Sequence, residues 1–97
     1  MSDLPRKVRT LEIMRDGNEY WNYEVIKQLQ EDYNAHSDFA RDTFNMDLIE
    51  LAAMAFVKEV DAKVDDEGVH KKGFLLHKYV ITDAGKARLS DACMYAI

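Results

Sequence analysis

Apolar residues in this chain follow a helical period to residue 55, a two-residue period from 56 to 81, and a helical period again towards the end. Leu4, Val8, Leu11 and Met14 recur at helical spacing behind Pro5, and Asp16-Gly17-Asn18 stops them, which predicts a first helix of about ten residues. Tyr20 and Trp21 suit a very short strand. Asn22 offers a cap for a second helix reaching Tyr33, with Val25, Ile26, Leu29 and Tyr33 as its inward stripe. A tight turn at Asn34-Ala35-His36-Ser37 leads to a third helix, which starts near Ser37 or near Asn45 and buries Phe44, Leu48, Leu51, Ala52 and Ala55. With Ser37 as cap, about four residues join the second and third helices, the spacing of a helix-turn-helix.

From Phe56 onward Val60, Ala62 and Val64 alternate with Glu59, Asp61 and Lys63, a strand pattern, and Asp65-Asp66-Glu67-Gly68 signals a turn. The return strand runs from Phe74 to Ile81, with Leu75, His77, Tyr79 and Ile81 sharing one face, so the hairpin tip spans Asp65 to Gly73. Thr82 can accept a hydrogen bond from an early helical N–H. It therefore ends the strand and opens a last helix from Asp83 towards Tyr95, with Ala84, Ala87, Leu89, Ala92, Cys93 and Met94 available for packing. The chain has no internal repeat, low-complexity tract or interdomain linker.

The run Tyr79-Val80-Ile81-Thr82-Asp83-Ala84-Gly85, with Leu89 beyond it, reads aromatic-x-Ile-Thr-x-x-Gly-x-x-x-Leu. It resembles the end of the winged helix-turn-helix domain of MarR-like, PadR-like and ArsR-like regulators. The order helix, short strand, helix, helix, hairpin, helix extends the resemblance from Val8 to Met94. The fold it implies is α+β, one winged helix-turn-helix domain over residues 1–97: a three-helix core, a short β1, a β-hairpin wing and a C-terminal helix. The chain departs from the family pattern at Ala55, where such domains often place Gly, and in the acidity of its third helix.

At 97 residues with 47% apolar side chains, one modest core is expected, and association is plausible for so small a domain. No apolar run approaches the ~20 residues that span a bilayer, and the charged start lacks an apolar signal core, so a soluble cytoplasmic protein is expected. The single Cys93 has no internal disulfide partner, in keeping with a reducing compartment. Net charge is −5 but unevenly spread: +2 over residues 1–15, −10 over 16–67 and +3 over 68–97. Basic ends around an acidic middle leave room for a local basic face.

In a DNA-binding member of the family, outward residues early in the third helix enter the major groove and the wing touches the backbone. The resemblance assigns those roles to Arg41, Thr43, Asn45 and Met46 in the helix, with Arg41 suited to guanine and Asn45 to adenine. On the wing it assigns His70, Lys71, Lys72 and Lys78, in a stretch without acid between Val69 and Thr82, and Arg6, Lys7, Arg9 and Arg15 can add a second patch. A sequence-specific DNA-binding regulator is therefore the first expectation. Residues 38–50 nevertheless sum to −3, which opposes entry into a polyanion's groove. The alternative is a winged-helix protein-interaction module that uses the acidic third helix or the wing to bind a basic protein.

No catalytic or cofactor constellation is present. His36, His70, His77 and Cys93 lie on different elements without compact ligand spacing, and Asp65-Asp66-Glu67 lacks the alternating oxygens of a calcium loop. Tyr20, Trp21 and Tyr23 read as core and helix-entry packing, and His77 as a core or interface side chain with one hydrogen-bond partner. Ile13, Met14, Leu89, Met94, Tyr95 and Ile97 exceed what one small core needs, so a homodimer through the first and last helices is expected.

Overall fold

A computed structural model describes residues 5–95, with side chains described as far as Asp91. Leu4 and Ile97, and the side chains of Ala92, Cys93, Met94 and Tyr95, to which roles were assigned above, lie outside it. The elements are α1 (Arg6–Ile13), β1 (Tyr20–Trp21), α2 (Asn22–Asp32), α3 (Asp38–Ala53), β2 (Val57–Val64), β3 (Leu75–Ile81) and α4 (Asp83–Tyr95). The fold is α+β, four helices and one antiparallel three-stranded sheet in the order β1-β3-β2. Among the described residues no helix is long and apolar enough to cross a membrane.

One core joins the elements, with Tyr20 of β1 packed against its margin. Leu11 and Met14 enter it at the end of α1, Val25, Ile26 and Leu29 from α2, and Phe44, Leu48 and Leu51 from α3. Val57, Tyr79 and Ile81 close it from the sheet and Leu89 from α4. The helical positions, with Tyr79 and Ile81, are those that the 3.6 and 2.0 periods select, whereas Val57 is out of phase with the expected alternation of Val60, Ala62 and Val64, all three of which are exposed. Thr10 is also fully buried, and its hydroxyl donates to the Arg6 carbonyl within α1 at 2.8 Å, so its burial leaves no unmet donor.

The helix starts divide in an informative way. Ser37 caps α3, its Oγ accepting from the Ala40 N–H at 3.1 Å, which fixes the start of α3 at Asp38. Asn22 does not cap α2 but is its first helical residue, while the Glu24 carboxylate accepts from the Trp21 N–H at 2.9 Å. The Asn22 side chain is instead buried against α3, where Nδ2 donates to Asn45 Oδ1 at 3.1 Å.

α3 ends before Ala55, which takes a left-handed φ of +63° and stands exposed rather than buried. The chain then turns into β2 at Phe56. Thr82, at the end of the paired strand β3, locks this corner: its hydroxyl donates to the Ala55 carbonyl at 2.7 Å and accepts from the Gly85 N–H at 3.0 Å. Its own N–H donates to the Phe56 carbonyl at 3.1 Å. One residue thus ends β3, opens α4 and ties both to the exit of α3. Gly85 is required there by close approach, because a Cβ at that position would sit 2.1 Å from the Phe56 carbonyl oxygen.

The hairpin departs from the simple alternating picture. Tyr79 and Ile81 are buried at its base, yet Leu75 on the same face is 55% exposed, and Val60 and Val64 of β2 are exposed as well. The helices underlie only the base, so the distal half of that face projects past the core. Leu76, on the opposite face, is buried instead, along a groove shared with Tyr23 of α2 and Val69 of the tip. A register irregularity between Glu59 and Asp61 interrupts the β2–β3 ladder opposite Tyr79 and Lys78.

Candidate functional site

With Phe44, Leu48 and Leu51 turned inward, the helical period carries Phe39, Asp42, Met46, Ile49 and Ala53 onto the opposite side of α3. All five are exposed, Phe39 at 82%, Met46 at 51% and Ile49 at 43%. Their spacing of three and four residues is that of a helix seam, and four of the five are apolar. Next to Phe39, an apolar groove of about 310 Å³ is lined by Tyr33, Ala35, Ala40 and Phe44. A second groove, of about 250 Å³, opens on the α1 side of the α3–β2 corner, between Leu51, Met54 and Phe56 and Val8 and Leu11, with Lys7 and Arg88 also lining it.

The residues to which the resemblance gave base contacts are mostly engaged within the chain. Arg41 is only 22% exposed, its guanidinium lying 3.4 Å from Asp38 and 3.3 Å from Asp42. The Thr43 hydroxyl donates to the Phe39 carbonyl at 2.8 Å, and the Asn45 carboxamide is held by Asn22. Met46 alone of the four stands on the outward row.

Of the expected second patch, Arg6, Lys7 and Arg9 pair with acids of α1, α2 and α3, and Arg15, just past α1, is exposed. Arg6 Nε donates to Asp47 at 2.9 Å, and Asp47 is 3% exposed, so α1 neutralises a carboxylate buried on α3. That hydrogen bond, reinforced by the carboxylate's charge, raises the Arg6 pKa above its ordinary value. Lys7 pairs with Glu50 at 2.6 Å, and Arg9 with Asp32 at 2.6 Å and with Glu12. The Arg9 hydrogen bond holds the Asp32 carboxyl below the usual carboxylate range.

The hairpin tip is organised by Asp65, which is 1% exposed. Its carboxylate accepts four backbone N–H groups: Gly68 at 2.8 Å, Val69 at 3.0 Å, His70 at 2.9 Å and Lys71 at 2.7 Å. Burial works against its charged form, but the four donors outweigh it and hold the carboxyl below its ordinary pKa. The turn signal in the sequence is thus the anchor of the loop that carries Lys71 and Lys72.

Those cations are unequal. Lys71 and Lys72 are exposed, with Lys71 Nζ 4.5 Å from the Phe74 ring centroid. Among the described residues no ion pair joins either to Asp66 or Glu67. Lys78 is committed elsewhere, 3.3 Å from Glu19, and with Lys63 it flanks the Trp21 ring at 5.4 and 4.5 Å. His70 is half-buried in a groove with Tyr23, Lys27 and Arg41. Burial, and then the Arg41 charge, push its pKa below the ordinary histidine value, which favours the neutral ring. The tip therefore presents a pair of lysines, with Arg41 beside His70 in the adjoining groove and Lys78 committed to Glu19.

His77 is half-buried and contacts the Glu59 carboxylate across the hairpin, the single polar partner expected of it. Met14 and Leu89, counted above as surplus, belong to the chain's own core, and Ile13 packs against it. No group of three His, Cys, Asp or Glu side chains gathers as a metal site among the described residues. Sequence reasoning missed Phe39 and Ile49 on the outward row and the anchoring role of Asp65. No family model matches the chain, and no curated protein matches it.

Proposed function

We propose that the chain is a winged helix-turn-helix domain working as a protein-interaction module, with the outward face of α3 as its docking surface. The element order, the antiparallel hairpin after α3 and the Thr82 corner support the winged-helix reading. One observation carries the function: the outward row of α3 offers Phe39, Met46, Ile49 and Ala53 with Asp42 among them, and no cation. Apolar side chains of this kind gain about 25 cal/mol per Å² on burial against a protein. Against a duplex the same face meets phosphate with carboxylate, which charge opposes. The test places a photo-crosslinking residue at Met46 or at Lys72 in cells. Discrete protein adducts from position 46 are expected, and DNA adducts there would overturn the reading.

A DNA-binding transcriptional regulator is the second reading, and one observation favours it. Lys71 and Lys72 stand exposed on a tip whose backbone Asp65 fixes, a suitable contact for phosphate. In that reading α3 lies in the major groove, two copies pair through α1 and α4, and Lys71→Glu with Lys72→Glu abolishes salt-sensitive duplex binding. Unchanged affinity in the double variant removes the tip from it.

A further inference from the structure

We infer that the partner of α3 is a single amphipathic helix carrying Lys or Arg beside its apolar seam, and that it is not a second copy of this chain. The inference rests on the docking role proposed for α3 and adds the chemistry of the occupant. Phe39 to Ala53 covers fourteen steps of helix, about 21 Å at 1.5 Å per residue, the length that one partner helix of about four turns matches. The row keeps the three-and-four alternation throughout, so a helix rather than a strand fits it.

Charge then selects among helices. Asp42 lies within the seam, and Asp38 and Glu50 flank it, with side chains 56%, 90% and 48% exposed. Asp38 and Asp42 share one cation, Arg41, which is itself mostly covered. A second copy of α3 meets these acids with its own in both registers that cover the whole row. Parallel pairing sets Asp42 against Asp42, and antiparallel pairing about Met46 brings each Asp42 to Glu50, which already engages its cation Lys7. Like charges brought into a dehydrated seam oppose association, whereas a cationic partner turns the same carboxylates into attraction and steering. The groove beside Phe39 can accept a large apolar side chain from the partner's terminal turn.

The experiment uses three dye-labelled helical peptides of 18 residues, read by fluorescence anisotropy and by amide shifts of the labelled chain. The first has Leu along the seam and Lys or Arg beside it, the second the same seam with Glu, and the third Lys or Arg beside a Ser seam. The first is expected to bind with shifts at Phe39, Met46 and Ile49, the second at least tenfold more weakly, and the third without α3 shifts. Asp42→Lys, at an exposed position, is expected to reverse the order of the first two. Equal binding of the first two peptides at α3 overturns the charge selection while upholding α3 as a docking face. Absence of α3 shifts with every peptide overturns both. A concentration-dependent dimer that Met46→Lys dissolves overturns the exclusion of a second copy.

Discussion

Gly85→Ala sets two effects of opposite sign against each other. Alanine is favoured over glycine in a helix by up to about 1 kcal/mol, so from sequence alone the change should stabilise α4. The added Cβ, however, falls 2.1 Å from the Phe56 carbonyl oxygen and 2.8 Å from Ile81 Cγ1, where real contacts stay above 3.0 Å. The helix start must retreat by about 0.9 Å, the difference between 3.0 and 2.1 Å. Such a shift strains the bonds Thr82 makes to Ala55 and Phe56. Overpacking of this kind costs about 1–3 kcal/mol and a weakened cap about 1 kcal/mol more. The expected net effect is destabilisation by about 2 kcal/mol, or about 8–16 °C in Tm for a domain of this size. Urea unfolding followed by far-ultraviolet circular dichroism measures it, with Ser90→Ala as control. Ser90 is exposed on the same helix, and its replacement should stabilise by a few tenths of a kcal/mol, at most about 0.5. If Gly85→Ala is as stable as the parent chain or more so, the argument that α4 presses on the Phe56 carbonyl is wrong.

Ala55→Gly is expected to act in the opposite sense, stabilising by about 1 kcal/mol in the same assay, because Ala55 is exposed and holds a left-handed φ of +63°. Arg6→Ala strands the buried Asp47 carboxylate. Because Arg6 is itself 52% exposed, the loss is expected at about 1–2 kcal/mol, below that of a fully buried pair, and Asp47→Asn in the same chain should recover part of it. The tip should respond to acid through Asp65. Its folded pKa is depressed, so the stabilisation is complete above the ordinary carboxylate value of about 3.9 and is lost as pH falls through the folded value. Amide shifts of residues 68–71 should therefore hold steady down to about pH 4 and move together below it, and in Asp65→Asn they should lose that common transition.

Most of the architecture is legible in the sequence because burial repeats with the period of each element. Leu11, Met14, Val25, Ile26, Leu29, Phe44, Leu48 and Leu51 were all readable as inward positions, and the Thr82 junction set the order of the last strand and helix. The hairpin was readable as a pair of strands but not in its burial, because periodicity does not reveal that its distal half projects beyond the helices. Leu75 and Leu76 consequently exchange the roles that alternation gives them. Asp65 was hidden for a different reason: its partners are backbone N–H groups, which every non-proline residue carries and no motif names. On α3, Arg41 and Asn45 attract attention by side-chain chemistry, yet Asn45 follows Phe44 and precedes Leu48 by three, beside the buried stripe. Phe39, Met46 and Ile49 repeat at the same spacing half a turn away, so one helix carries two apolar faces. Only the tertiary structure tells which of them the core uses.

The claim that α3 docks a protein is tested most directly by amide-shift mapping of the labelled chain on two titrations. One adds a mixed-sequence DNA duplex at low and then higher salt, the other the cationic amphipathic peptide. The account predicts that duplex shifts stay near Lys71 and Lys72 and vanish as salt rises, whereas the peptide moves Phe39, Met46, Ile49 and Ala53. Duplex shifts at Arg41, Asn45 and Met46 that survive higher salt, with α3 silent to the peptide, would contradict it.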